Sequence, residues 1–293
     1  MTRTLFAATL GSFLLLAACA PPPDTAADAD APAEPTGPVE LTLPPGFTAT
    51  VFAQGLGKGA RHLAVDADGD VYVRMNNTDQ GGGIIALRDS DGDGRADEQQ
   101  AFGDSAGSGL ALRDGFLYAS SWVDVVRYRL DPESLAPQGE PETIVSGFPE
   151  QGPHKVKTFT FDGAGHVYVN VGAPSNACME QSRTPGSAGI DPCPQRERHA
   201  GVWRFQADQP GQTQQQDGHH YATGTRNMVA LRWNAAADSL YGVQHGRDQL
   251  DSFWPDLFDA EGNAELPAEE FFHITDGDDF GWPYCYYDHI QEK

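Results

Sequence analysis

The sequence predicts an all-β fold, a β-propeller. Four segments repeat one strand–turn–strand pattern: His62–Asn76, Gly109–Trp122, Lys157–Ala173 and Ala230–Gly246. Within each, apolar residues alternate with a period of two, as half-buried strands require, around a turn rich in Asp, Gly, Asn or Ala. Each second strand carries a tyrosine, and Tyr72, Tyr118, Tyr168 and Tyr241 are 46, 50 and 73 residues apart. A recurrence of about 40–50 residues, with several strands per unit, is the signature of propeller blades.

The long last interval contains a Pro/Gly-rich insertion, 174–199. With 33 Gly and 21 Pro and little helical periodicity, the composition excludes a helical bundle. Four units are visible, and the chain stops ten residues past the Gly281-Trp282-Pro283 turn. Either a four-bladed ring or a ring lacking its C-terminal blades follows from this count.

The 293 residues carry 42 acidic and 19 basic side chains, a formal charge of −23. Nucleic-acid partners, which need a basic face, are thereby excluded, as is polybasic docking to anionic lipid. Hydrophobic residues make up 39%, enough for a core in a chain of this length.

Residues 1–19 read as a signal peptide: Arg3, then an apolar run from Leu5 to Leu16, then small residues. That run is too short to span a bilayer as a permanent helix. Leu16-Ala17-Ala18-Cys19 looks like a bacterial lipobox, which implies cleavage before Cys19 and lipidation of its thiol. Ala20 after the cysteine implies outer-membrane sorting, with the protein facing the periplasm or the cell surface. Residues 20–38 are Pro/Ala/acidic with no aromatic and no Ile, Leu, Val or Met, and read as a disordered tether. The propeller domain is expected over 39–293.

Export places the remaining cysteines in an oxidising compartment. Cys178 and Cys193 bracket the insertion and are expected to pair, leaving Cys285 over.

Residues 89–100 read as a calcium loop. Asp89, Asp91, Asp93 and Asp97 occupy loop positions one, three, five and nine, Gly94 is at six, and Arg95 would offer its carbonyl. This is the oxygen spacing of an EF-hand loop. Position twelve is Gln100 rather than the bidentate Glu, and Ile84–Leu87 before the loop reads as a strand. The expectation is a structural calcium loop of modest affinity between two strands.

Three polar clusters fall at blade edges. His154 precedes the first strand of the third repeat, where a loop opens onto the central channel and an imidazole can act as a base near neutral pH. Gly224-Thr225-Arg226-Asn227 precedes the fourth repeat in the same way, offering a rigid cationic fork and a neutral amide. His245-Gly246-Arg247-Asp248 and Gly281-Trp282-Pro283-Tyr284-Cys285 follow. From the residues alone, these clusters predict a shared site at the channel mouth for a small polar or anionic ligand.

The order of these motifs, together with PSNAC, ATGTRNMVALRW, QHGRDQL and FGWPYCYYD, resembles the soluble glucose/sorbosone dehydrogenases, and the sorbosone branch most. The resemblance covers about 60–293. It implies a six-bladed quinoprotein propeller, with about four blades in this chain, that uses pyrroloquinoline quinone (PQQ) and Ca2+. It implies oxidation of the C1 hydroxyl or hydrated aldehyde of an aldose or sorbosone, with electrons passed to an external acceptor.

By the same resemblance, His154 is the catalytic base and Arg226 contacts the quinone and stabilises its developing oxyanion. Asn227 donates to the cofactor, and the carbonyls of Gly246 and Arg247 ligate the calcium beneath it. Members of that family continue into two further blades holding the PQQ carboxylates, so a partial chain of low activity is implied. The competing readings are a non-catalytic calcium-binding propeller serving as a surface binding module, an inactive fragment, and a propeller lactonase. The last fits less well, because the channel candidates are His, Arg and Asn.

Overall fold

A computed structural model describes residues 41–266, 269–288 and 292. The expected signal peptide (1–19), the expected lipidation site Cys19 and the expected tether (20–38) lie outside the described residues. The chain divides into Met1–Ala49 and Thr50–Lys293. In the first unit residues 41–49 are exposed, and the Phe47 N–H closes a turn on the Pro44 carbonyl at 3.2 Å.

The second unit is four sheets in a propeller arrangement. Blade 1 is β1 (Ala60–Val65), β2 (Val71–Met75), β3 (Ile84–Arg88) and β4 (Glu98–Phe102). Blade 2 is β5 (Leu110–Arg113), β6 (Phe116–Ser120), β7 (Val125–Arg129) and β8 (Glu142–Ser146). Blade 3 runs β9 (Phe159–Phe161), β10 (His166–Val171), β11 (Gly201–Gln206) and, after a return past blade 2, β13 (His219–Thr223). During that return β12 (Gln212–Thr213) adds in parallel to β8. Blade 4 is β14 (Met228–Asn234), β15 (Ser239–Gln244) and β16 (Glu270–Ile274), after which β17 (Asp278–Asp279) adds in parallel to β13.

The four repeat tyrosines fall on β2, β6, β10 and β15, each the second strand of its blade. In blades 1 and 3 an aspartate closes the preceding turn and also receives the tyrosine hydroxyl. Asp66 Oδ1 accepts from the Asp68 and Asp70 amides, and Asp162 Oδ1 from the Ala164 and His166 amides. Their second oxygens take Tyr72 and Tyr168 at 3.4 and 3.1 Å.

Strand alternation explains how blades stack. On β6, Leu117 and Ala119 pack against Tyr72, Ile84 and Ala86 of blade 1. Tyr118, between them, faces the other way, toward Val167, Val169 and Phe205 of blade 3. Successive side chains of a strand point to opposite faces, so an inner blade is apolar on both. Tyr168, Val202 and Tyr221 then meet Met228, Leu231, Leu240 and Ile274 of blade 4. Each such buried side chain contributes about 1.5–3 kcal/mol relative to exposure.

In an antiparallel meander the connections alternate between the two ends. The β2–β3, β4–β5, β6–β7, β8–β9, β10–β11, β13–β14 and β15–β16 connections share one end, called the mouth here. The β3–β4 hairpin opens on the opposite end.

Candidate active site

His154, Arg226, Asn227, Gly246 and Arg247 all lie on mouth connections. His154 is half-buried in the β8–β9 connection with φ +51°, a left-handed backbone that a β-carbon disfavours. Its Nδ1 lies 2.7 Å from the Ala173 carbonyl. A carbonyl only accepts, so Nδ1 carries the proton and Nε2 keeps its lone pair. Nε2 makes no hydrogen bond with the described residues. Burial, and then the nearby Arg226 charge, pushes the imidazolium pKa down to about 4. The ring is therefore a neutral base at physiological pH.

Arg226 is 3% exposed and is held by residues from every neighbouring motif. Its amide donates to Gln244 Oε1 at 2.8 Å, and its carbonyl accepts from the Ala173 amide at 2.7 Å. Nε donates to Asn176 Oδ1 at 3.0 Å, and Nη1 to the His245 carbonyl at 3.3 Å. Nη2 pairs with Asp248 Oδ1 at 3.4 Å but has no hydrogen bond, although it is buried. Asn227 Oδ1 is likewise buried and unpartnered. A Cβ at Gly172 would lie 2.7–2.8 Å from His154 and 3.3 Å from Asn227 Oδ1, so this glycine lets the base and the amide converge.

Asn176, within the PSNAC segment, was not a candidate from sequence, yet it ties the motifs together. It is 1% exposed. Its Oδ1 takes Arg226 Nε and the Asp248 amide, its Nδ2 donates to the Asp248 carbonyl, and its own carbonyl takes the Trp282 indole N–H at 2.9 Å. The Cys178–Cys193 disulfide sits beside it, packed on Trp282. Cys285 is free and exposed. Lys157, three residues past His154, is fully buried, donates to the Lys155 carbonyl at 2.9 Å, and has its amine pushed down to about 7 by burial.

Gly246 and Arg247 line a cavity of about 20 Å³ with Arg226 and Glu270. Arg247 stacks over Tyr286 at 4.6 Å. The acidic loop 89–100, expected to bind calcium, lies elsewhere, in the β3–β4 hairpin at the end opposite the mouth. Asp89, Asp91 and Asp97 place carboxylate oxygens within 4.8 Å of one another. Asp93 turns instead to the Arg95 amide at 2.8 Å, and Asp89 receives the Gly94 amide at 2.8 Å. Gln100 is inside β4, paired with Ala86.

The comparisons sharpen this picture. The TrAA12-like family model matches residues 41–291. The chain belongs to the TrAA12-like family. Its fold is similar to the calcium and iodide structures of the Trichoderma reesei carbohydrate-active enzymes family AA12 protein. The iodide structure gives a TM-score of 0.63 at 17% identity, over 82% of this chain and 59% of that one. The calcium structure gives 0.61 at 18%, over 81% and 59%. The holo PQQ domain of pyranose dehydrogenase from Coprinopsis cinerea gives 0.53 at 19%, over 66% of this chain and 46% of that one. The chain thus spans about three fifths or less of these structures. No curated protein matches it.

The residues at the mouth fit a quinone cofactor by chemistry. Arg226 Nη2, ion-paired with Asp248 but making no hydrogen bond, is a cationic donor suited to a quinone or carboxylate oxygen. The unpartnered Asn227 atom is the amide oxygen, so it suits a ring N–H or a hydroxyl as an acceptor, the reverse of the donor role that the resemblance implies. The Arg226 charge acts on the His154 imidazole, and the lack of a side chain at Gly172 lets His154 and Asn227 pack close to one another.

Proposed function

We propose that this protein is a PQQ- and calcium-dependent oxidoreductase acting on the C1 hydroxyl or hydrated aldehyde of a sugar, an aldose or sorbosone, with an external electron acceptor. Arg226 and Asn227 would hold the cofactor, and the carbonyls of Gly246 and Arg247 would ligate its calcium. When bound, PQQ supplies the two-electron acceptor for the substrate's C1 hydride. The chain's own part is proton chemistry and field. His154 Nε2 removes the C1 hydroxyl proton while Nδ1–H remains fixed on Ala173. The Arg226 guanidinium is preorganised where negative charge develops. A second calcium in the 89–100 loop would be structural, held by Asp89, Asp91 and Asp97, with Asp93 and the Arg95 carbonyl completing the set. The protein is proposed to be lipid-anchored at Cys19 and to face the periplasm or cell surface; among the described residues no helix is long and apolar enough to cross a membrane.

One observation carries this reading: an imidazole with its tautomer fixed and Nε2 open lies within the field of the Arg226 guanidinium, whose Nη2 makes no hydrogen bond. The test is dye-linked oxidation of aldoses and sorbosone by protein loaded with PQQ and calcium. His154→Ala is expected to abolish turnover while leaving PQQ absorbance changes intact, because it removes a base and no cofactor contact. Equal turnover in that variant removes His154 from the mechanism.

A further inference from the structure

The mouth carries a second recess that the proton and cofactor chemistry does not use. A cavity of about 610 Å³ is walled by three connections of blade 2, β4–β5 (Ser105), β6–β7 (Ser121, Trp122, Asp124) and β8–β9 (Glu150, Lys155). Its volume is in the range of small-molecule sites. Gly152 and Lys155 flank His154 in the chain, and Gln151 Nε2 donates to the His154 carbonyl at 3.1 Å. The recess therefore borders the chain segment that carries His154, whose imidazole feels the Arg226 charge.

The recess is preformed. Arg74, 1% exposed, donates to the Ser105 carbonyl at 2.7 Å, the Ser120 carbonyl at 2.7 and 3.2 Å, and the Gly83 carbonyl at 2.8 Å. These bonds clamp the β4–β5 and β6–β7 connections from below. A Cβ at Gly107 would fall 2.3 Å from Arg74 Nη2, so the chain is built to admit that guanidinium.

The lining also has a definite chemistry. Trp122 offers a flat ring with Lys155 Nζ 4.5 Å from its centroid. Its indole N–H and the Glu150 carboxylate make no hydrogen bond with the described residues. Asp124 uses one oxygen for the Ser121 hydroxyl at 2.6 Å. Donors and acceptors around an aromatic plate match a ring with one apolar C–H face and hydroxyls at its rim. Two carboxylates against one ammonium, on a chain of net charge −23, disfavour phosphorylated or acidic sugars.

We propose that this recess is a sugar subsite that holds a second, neutral pyranose ring stacked on Trp122 while the first ring presents its C1 hydroxyl to His154. The substrate class is therefore a neutral disaccharide or longer glycoside with a free reducing end. The inference rests on the sugar-oxidising reading for the placement of the first ring, whereas binding in the recess needs no cofactor.

The test uses the purified full chain with glucose, cellobiose, maltose and glucose 6-phosphate. Binding is followed by calorimetry and saturation-transfer NMR without PQQ, and KM by dye reduction with PQQ and calcium. A disaccharide is expected to bind about tenfold more tightly than glucose, the equivalent of about 1.4 kcal/mol. Trp122→Ala should erase that advantage and weaken any cofactor-free glucose binding with it, Trp122→Phe should restore most of both, and Glu150→Gln should weaken them in part without altering the melting temperature. Equal affinity for glucose and disaccharides, a Trp122→Ala variant that keeps the preference, or tighter binding of glucose 6-phosphate overturns the proposal. If the Trp122-dependent preference is found and no sugar reduces the dye, the subsite stands and the dehydrogenase reading falls. Turnover without any Trp122 dependence gives the reverse.

Discussion

Arg74 and Arg226 are both buried at the mouth, at 1% and 3% exposure, and both have guanidinium pKa values lowered by burial. Their surroundings differ. Arg74 spends its donors on the carbonyls of Gly83, Ser105 and Ser120, all within 2.7–3.2 Å. Arg226 is steered by Asn176, His245 and Asp248 and still leaves Nη2 without a hydrogen bond. A buried donor left unmade carries a desolvation cost, which a native fold retains where a ligand makes the bond instead. The first arginine spends its donors on the fold, and the second keeps one that the proposed function assigns to a ligand.

The comparison breaks most visibly at Arg74. Arg74→Met leaves the Ser105 and Ser120 carbonyls without this donor, while the Gly83 carbonyl keeps the Met75 amide at 2.9 Å, and uncouples two connections. It should cost about 1–3 kcal/mol for each buried acceptor left unmade. Chemical denaturation measures this. A loss under 1 kcal/mol would show that water replaces the guanidinium and that the clamp is dispensable.

Arg226→Ala should do the opposite. The loss of a preorganised charge at the reacting centre is expected to lower kcat by about 10²–10³-fold. PQQ binding should weaken as well, while unfolding free energy changes less than for Arg74→Met. Steady-state kinetics beside a PQQ titration separates the two effects. An Arg226→Ala protein that is chiefly unstable would make the two arginines equivalent.

Asn176 lies on the same axis. Asn176→Ala removes the acceptor for Arg226 Nε, a hydrogen bond to a charged group worth about 1.5–3 kcal/mol, and kcat/KM should fall accordingly. Asn176→Asp keeps that acceptor and the one for the Asp248 amide, so it should recover most of the activity; equal damage from both variants would point to packing alone.

Much of the fold was legible in the sequence because its signals are local. Alternation around Asp66 or Asp162 spans fewer than twenty residues, and the tyrosine recurs with each blade. His154 and Arg226 were legible by position, just ahead of inner strands. Asn176 and Trp122 were not. Asn176 matters through Arg226, 50 residues away, and Trp282, 106 away. Trp122 matters through walls from three connections. The parallel additions of β12 and β17 are two residues each, too short for any period to show.

The pH dependence of turnover is the next difference between the two arginines. His154 is held below its ordinary value first by burial and then by Arg226, so the acid limb of kcat/KM should fall near pH 4 rather than 6.5. Removing the Arg226 cation raises the imidazolium pKa, so the residual activity of Arg226→Gln should show its acid limb shifted upward. The shift is partial, because burial remains. Stability follows the same sign. The unfolded chain binds protons at His154 and His199 from about pH 6.5 downward, whereas the folded chain binds them only near 4. Stability is therefore lost as pH falls across that window and is insensitive to these groups above it. An acid limb that stays in place when the Arg226 charge is removed would detach the arginine from the base.

The smallest effect belongs to the calcium loop, whose distance from the mouth makes it a control. Its Asp89, Asp91 and Asp97 oxygens converge, but Gln100 stands where a bidentate carboxylate would and is fixed in β4. An affinity in the about 10⁻⁴–10⁻³ M range of weak extracellular modules follows. One millimolar calcium then stabilises the fold by RT ln(1 + [L]/Kd), about 0.4–1.4 kcal/mol. Thermal melts of PQQ-free protein with and without calcium should resolve this, and Asp89→Asn should remove it. Turnover of PQQ-loaded Asp89→Asn should match the wild type at moderate temperature, since the hairpin opens away from His154. A calcium response that survives the substitution would place the stabilising ion away from this hairpin, with the Gly246 and Arg247 carbonyls as its proposed holders; an activity loss that accompanies the substitution would couple the hairpin to the mouth and end its use as a control.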